Sequence, residues 1–558
     1  MRTTCSVDHF WLPTGDGATG ACWFWPDGAV ASTGVLVVPG IIHEQQTMAI
    51  GLVALAKELA SNGVPTLTID LAGTAQGAGR LDSPRIGERW DDEVRSAVHH
   101  MRDAGLQHIV VLGVRLGALI AAHATVDEPV DLMVMWAPVL SGRRYVRELQ
   151  IMQASATETT GEALAGITVA GFNVPPDLVT HLKTLDAGKL GGKPAGRICI
   201  VDSAERLAEL DPRHGLLSEV PTSTLAAPET ENWLFTAADQ FPGPYRDIVE
   251  VRRRIQTLAA EIDAETVLGD VELAQGPPLR PDVSSLRSHE FDHDGVTIRE
   301  THVRFGGNDG GGPPRLAGIV SEPVGTIDAS AAYVGITTVG PGRLFVDLAR
   351  GEAARGRVTL RFELGGFGTS TRRGGAPGSD FYHPTAAADI GDAIDHLVAS
   401  GCPAVTVVGF CAGAWSAFEL PPRPDLAGII AVNAQLLVRT RLLHRRQWPG
   451  QSRWADQLAR IAHHREVRRI LMKLEREHPL PSPAIRRVGR HAEAGTAVTL
   501  VFGEGDLGQV YFDRRAHRPG GLRSPQRRPE VRVYPGLGHL PSGDARERML
   551  ADIHAAAD

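Results

Sequence analysis

Gly409-Phe410-Cys411-Ala412-Gly413 sets a cysteine between small residues, after a run of Val, Thr and Val and ahead of a helix-forming stretch. A nucleophile leaving a strand and entering a helix through a sharp turn needs small neighbours, because that turn is strained and closely packed. The turn lifts the side chain off the end of the sheet, beside the positive end of the next helix. Such a helix end favours the thiolate form of a cysteine held there. The N–H of Ala412 then points at a developing oxyanion. The implied chemistry is nucleophilic attack by Cys411 on an acyl carbon.

A cysteine nucleophile needs a base, and the base needs a group that orients it. In hydrolases built on such an elbow, the chain order is nucleophile, acid, histidine. Downstream, a strand ends in Phe502-Gly503-Glu504-Gly505-Asp506, and the next is followed by Pro535-Gly536-Leu537-Gly538-His539. Asp506 is the better acid, with Glu504 as the alternative, and His539 is the base. A second oxyanion donor is expected within Ile336 to Thr338, at Thr337. Cys402, beside Pro403, reads as structural.

The elements that must position these residues occur twice. In the first half, strands at Gly34 to Val38, Val64 to Ile69, His108 to Leu112 and Asp131 to Trp136 alternate with helices at Met48 to Asn62, Trp90 to Ala104 and Ala118 to His123. In the second half, strands at Ala332 to Ile336, Val358 to Phe362, Ala404 to Val408 and Gly428 to Val432 alternate with helices at Leu344 to Arg355 and Pro384 to Ser400. Short apolar strands alternating with helices predict a parallel sheet. The fold class is therefore α/β, as two tandem domains, each a mostly parallel sheet flanked by helices. The expected boundaries are 1–262, a Pro/Gly-rich linker at 263–292, and 293–558 with a helical lid at about 436–495. The Gly-rich run Gly306 to Pro314 reads as a hairpin loop, since it opens no helix.

The first half has an elbow without a nucleophile, Gly113-Val114-Arg115-Leu116-Gly117, and no histidine after its late strand. Arginine stays protonated and cannot attack a carbonyl. Arg115 either binds an anion, such as a substrate carboxylate or phosphate, or pairs with an inward acid such as Asp70. This half is expected to be non-catalytic.

Both halves resemble α/β-hydrolase superfamily members, which implies two tandem α/β-hydrolase domains. Gly34 to Asp186 resembles the exosortase A-associated hydrolases of bacteria. The likeness lies in the Arg115 elbow, in Trp136-Ala137-Pro138-Val139-Leu140-Ser141-Gly142-Arg143 and in Val169-Ala170-Gly171-Phe172-Asn173-Val174-Pro175-Pro176. An arginine elbow in that family implies an inherited Arg115. Val296 to the C-terminus is similar to serine-aminopeptidase-like and dienelactone-hydrolase-like enzymes through Gly340-Pro341-Gly342-Arg343, the Cys411 elbow, Phe502 to Asp506 and His539. That resemblance implies a triad of Cys411, His539 and Asp506. Glu363 departs from it, since many relatives carry Asp at this strand end.

Between Arg439 and Arg490 lie about fourteen Arg or Lys and few acids. Arg445 and Arg446 form one basic pair, and Trp448 and Trp454 offer cover for apolar substrate. One reading is recognition of an anionic acyl carrier, either coenzyme A or an acidic carrier protein. The other is a solvated or docking helix face.

Composition narrows the partners. The 558 residues carry a net charge of −8, and no nucleic-acid motif accompanies the basic segment, so nucleic acid is a poor partner. Five scattered cysteines without a CxxC pair predict neither a disulfide framework nor a structural zinc. No run reaches the ~18 apolar residues of a membrane span, so a cytoplasmic location is expected. No metal or cofactor is needed. Pairing of two copies is left open. The expected function is acyl transfer through a Cys411 thioester on ester or thioester substrates, ending in hydrolysis or in transfer to an amine or alcohol. A non-enzymatic scaffold built from degenerate hydrolase domains is the alternative.

Overall fold

The computed structural model describes residues 5–155, 165–211, 215–236, 243–268, 278–307, 313–375, 382–436, 483–516, 522 and 528–555. The chain divides into two compact units, the first holding Met1–Ala156 and Leu164–His289 and the second Glu290–Asp558.

In the first unit, β1 (Cys5–Thr14), β2 (Gly17–Pro26), β3 (Thr33–Val38), β4 (Thr66–Asp70), β5 (His108–Val114) and β6 (Val130–Trp136) precede a small hairpin of β7 (Ile167–Val169) and β8 (Phe172–Val174). Then come β9 (Ala195–Asp202) and β10 (Thr222–Ala226). The main sheet runs β1-β2-β4-β3-β5-β6-β9-β10. β1 and β2 pair antiparallel, as do β2 and β4, and the strands from β4 to β10 are parallel.

Val35 to Val38 shows why the strand pattern is apolar without alternation. Val35 and Val37 enter one core and Leu36 and Val38 the other. Successive side chains leave opposite faces of a strand, and helices cover both faces of a parallel sheet.

The second unit repeats the plan. β11 (Ser288–His293) begins at the end of the first unit, and β12 (Val296–Phe305), β13 (Leu316–Pro323), β14 (Asp328–Ile336), β15 (Arg357–Phe362), β16 (Val405–Phe410), β17 (Leu426–Val432), β18 (Ala497–Gly503) and β19 (Glu530–Tyr534) follow. Their order is β11-β12-β13-β15-β14-β16-β17-β18-β19. Leaving out β11, this is the order of the first unit. β12 and β13 pair antiparallel across the Gly-rich run at Gly306. In the first unit the same place is filled by β1 and β2, ahead of Gly34, where the repeat reading named no element. Their Phe10, Trp23 and Trp25 join the core beside Trp90.

The expected linker at 263–292 is largely structured at both ends. The helix Tyr245–Leu268 runs into it. From Leu279 the chain packs on the first unit, with Leu279 N–H bonded to Ala104 O at 3.0 Å and Arg280 paired with Asp8. Most of the expected lid, 437–482, lies outside the described residues. Its last helix, Pro483–Glu493, pairs Arg487 with Glu419 on the helix Ala412–Glu419. No helix among the described residues is long and apolar enough to cross a membrane.

Candidate active site

Cys411 stands between β16 and the helix Ala412–Glu419 with φ 50° and ψ −108°. A non-glycine residue at positive φ carries strain of about 1–3 kcal/mol, held by the surrounding structure. What holds it here is close packing. A Cβ on Gly409 would lie 2.5 Å from the Ala414 nitrogen, so only glycine lets the helix start this near the strand. Cys411 N–H bonds Val432 O at 2.9 Å, which ties the turn to β17. The side chain is half-buried.

His539 follows β19, and its Nδ1 lies 2.8 Å from Asp506 Oδ2. An ionised carboxylate only accepts hydrogen bonds, so Nδ1 carries the proton and Nε2 is left for the remaining partner. Cys411 lies beside the imidazole and acts on it electrostatically. The Phe410 ring covers the imidazole with centroids 5.5 Å apart. Burial opposes a charge on His539, but the bond to Asp506 and the contact with Cys411 outweigh it, lifting the imidazole to about 10.

Asp506 is itself held. It caps the helix Leu507–Arg515, with Oδ1 accepting the Gly508 N–H at 2.7 Å, which leaves Oδ2 for His539. Of the two acids at this strand end, Glu504 is exposed and Asp506 reaches the imidazole.

Asn433, at the end of β17, was not singled out by sequence. Its amide is fully buried, donating to Gly538 O at 3.1 Å and His539 O at 2.8 Å and accepting from Gly503 N–H at 2.9 Å.

The oxyanion side departs from expectation at Thr337. Its N–H donates to Phe362 O at 2.8 Å and closes the β14–β15 pairing, so that amide is not free. The Thr338 N–H is also engaged, by Glu363 Oε1 at 3.1 Å. Both threonine hydroxyls donate to the same carboxylate oxygen, at 3.2 and 2.5 Å. The next N–H, that of Val339, donates to no described residue, while its carbonyl accepts from Phe345 N–H at 3.0 Å. Ala412 opens its helix, where the first N–H groups have no carbonyl one turn back. Gly413 abuts the end of β14, since a Cβ there would lie 3.3 Å from Ile336 Cγ2. The helix start and the loop after Ile336 therefore meet.

Behind this loop lies a buried charge network. Arg361 donates to Thr338 O at 3.1 Å and to Glu300 Oε1 at 2.6 Å, and Arg350 pairs with Glu300 at 2.9 Å. Burial opposes the Glu300 charge, but the two guanidiniums outweigh it and hold the carboxyl well below the usual range. Arg361 and Glu363 lie two residues apart on one strand end, so they grip the same short loop. Sequence showed Glu363 only as a departure from Asp and did not show Arg361.

In the first unit Arg115 has the elbow conformation, φ 52° and ψ −123°. Its guanidinium pairs with Glu44 at 2.8 Å and Glu148 at 2.5 Å. Asp70 is not its partner, and the anion-binding role loses its vacancy, because two carboxylates already hold the fork. His43 is the nearby imidazole, but burial and Arg115 push it down to about 4. Where the second unit has its histidine loop, Thr230 accepts a hydrogen bond from Trp136 at 2.9 Å. Arg445, Arg446, Trp448 and Trp454 lie outside the described residues.

No protein-family profile matches the chain, and no curated protein does. Among solved structures, it is similar to the esterase Est1E from Butyrivibrio proteoclasticus with ferulic acid bound, at 14% identity and TM-score 0.31, over 43% of this chain and 98% of that one. An esterase from Pyrococcus furiosus matches at 14% identity and TM-score 0.30, over 46% and 93% of the two chains. A proline iminopeptidase from Mycobacterium smegmatis matches at 12% identity and TM-score 0.29, over 46% and 100%. Likeness this low over less than half of the chain says nothing about substrate, so the chemistry must come from the chain's own residues.

Proposed function

We propose that the second unit is an acyl-transfer enzyme acting through a thioester on Cys411. The observation that carries this reading is the strained Cys411 beside an imidazole whose Nδ1 is held by Asp506 at 2.8 Å. His539 takes the Cys411 thiol proton to form a thiolate–imidazolium pair, and Sγ then attacks the carbonyl carbon of an ester or thioester. The oxyanion is received by the N–H groups of Ala412 and Val339, the latter replacing the expected Thr337. The tetrahedral adduct collapses by breaking the bond to the alcohol or thiol, which leaves with the proton from His539. Water, an amine or an alcohol then attacks the thioester, giving its proton to His539, and Cys411 recovers its proton as it leaves. Asp506 keeps the imidazole in the tautomer that faces Cys411.

The basic composition of the expected lid directs the donor toward an anionic carrier, coenzyme A or an acidic carrier protein. The first unit has no part in bond breaking, because its elbow carries Arg115 sealed by Glu44 and Glu148.

The test is intact-protein mass spectrometry after incubation with short acyl-CoA thioesters and nitrophenyl esters, for wild type and Cys411→Ala. An acyl adduct on wild type that is absent from Cys411→Ala is expected. Its decay in water against added amine separates hydrolysis from transfer. No adduct and no turnover across the panel would favour the non-enzymatic scaffold.

A further inference from the structure

We infer that Asn433 is a positioning residue for His539, its carboxamide locking the histidine loop onto the strand end that leads to Asp506. The inference rests on the acyl-transfer reading of Cys411, His539 and Asp506. Three hydrogen bonds converge on this one side chain, and it is fully buried. Two go to the carbonyls of Gly538 and His539 and one comes from Gly503, the last residue of β18. The partners fix the orientation of the amide, since carbonyls need its NH2 and an N–H needs its oxygen. The loop also packs tightly on that strand end: a Cβ on Gly503 would lie 1.8 Å from Leu537 O. The titratable groups among the described residues that act on the imidazole include Asp506 and Cys411.

The first unit supplies an internal comparison. Its backbone repeats the arrangement almost bond for bond. Arg115 N–H bonds Trp136 O at 3.0 Å where Cys411 N–H bonds Val432 O at 2.9 Å. Ala137 N–H bonds Val201 O at 2.7 Å where Asn433 N–H bonds Val501 O at 2.8 Å. Ala137 and Asn433 share the left-handed conformation, at φ 46° and 45°. Alanine tolerates this conformation poorly and asparagine tolerates it well. Backbone preference alone therefore does not set the residue here, because the first unit folds the same turn with alanine. The carboxamide is present in the unit that has the histidine and absent from the unit that lacks both histidine and nucleophile.

The test follows the pH dependence of Cys411 alkylation by iodoacetamide in the full-length protein, read by intact mass. Cys411→Ala gives the background from the other four cysteines. Asn433→Gly is the main variant, since glycine accepts the positive φ without strain and removes only the amide. Asn433→Asp is the second. It keeps the acceptor for Gly503 and loses both donors to the histidine loop.

Wild type should react at pH 6, where an unassisted thiol is protonated. Both variants should react about tenfold or more slowly at pH 6 yet nearly equally at pH 9.5, because a displaced imidazole no longer assists the thiolate. A variant profile equal to a reactive wild type would overturn the positioning role and leave the acyl-transfer reading standing. A wild-type Cys411 no more reactive than an ordinary thiol would overturn both. If neither variant keeps the wild-type melting midpoint, Asn433 is a folding residue and the positioning role is again overturned.

Discussion

Asp506→Asn isolates the orienting carboxylate from its structural duty. Asp506 does two things at once: Oδ1 caps a helix at Gly508 and Oδ2 holds His539. Asparagine caps nearly as well as aspartate, so the fold should be almost unchanged. What is lost is the charge 2.8 Å from Nδ1. A hydrogen bond to a charged group contributes about 1.5–3 kcal/mol. At 1.36 kcal/mol per unit, that is about one to two pKa units. His539 should therefore fall by about one to two units from its position near 10.

The sign for stability follows from the same shift. A histidine raised in the folded state stabilises the protein fully below its ordinary value of about 6.5, and that contribution disappears as pH rises through about 10. In Asp506→Asn the loss should be smaller and finish at lower pH. The assay is a titration of the His539 ring by two-dimensional nitrogen NMR, with denaturant midpoints taken from pH 6 to 10. An unchanged His539 titration would refute the reasoning and reduce Asp506 to a helix cap. Turnover should fall by as much as ~10⁴, the cost of a wrong tautomer in the serine-protease triad.

Four other perturbations have defined outcomes. Glu363→Ala removes the acceptor shared by Thr337 and Thr338. It should lower kcat by about tenfold to a thousandfold with little change in KM, as when an oxyanion donor is lost; an equal rise in KM would place Glu363 in ground-state binding. Glu300→Gln leaves Arg350 and Arg361 buried with no carboxylate and should cost about 3–5 kcal/mol in urea unfolding; a loss under 1 kcal/mol would mean the network is solvated. Arg115→Gln should destabilise the first unit, since Glu44 loses its buried cation, while the Cys411 acyl adduct still forms; loss of the adduct in a folded variant would give the first unit a part in the chemistry. Gly409→Ala places a methyl against the Ala414 nitrogen and should yield little folded second unit, measured by limited proteolysis; a wild-type digestion pattern would show that the helix start can yield.

The candidate site was legible wherever one short segment carried its own geometry. Gly409-Phe410-Cys411-Ala412-Gly413 reads as a strained turn because glycines on both sides of a cysteine answer a local steric need. Asp506 and His539 were legible by chain order, since a parallel sheet delivers the ends of successive strands to one edge. That the Thr337 N–H is taken up by sheet pairing was not legible, because pairing belongs to two strands. Asn433 gave no local signal: an asparagine after a strand reads as a turn former until Gly503 and His539 arrive from seventy and more than a hundred residues away.

Two mostly parallel sheets, an elbow in each and a cysteine at only one of them were determined by the sequence alone. These follow from apolar periodicity, glycine placement and side-chain identity, all local properties of the chain. Tertiary structure decided which carboxylate meets His539, which carboxylates occupy Arg115, and how Arg361, Glu363 and Asn433 hold the site's loops. Those are contacts between residues distant in sequence, and a hydrogen bond exists only once folding has brought its donor and acceptor within about 3 Å.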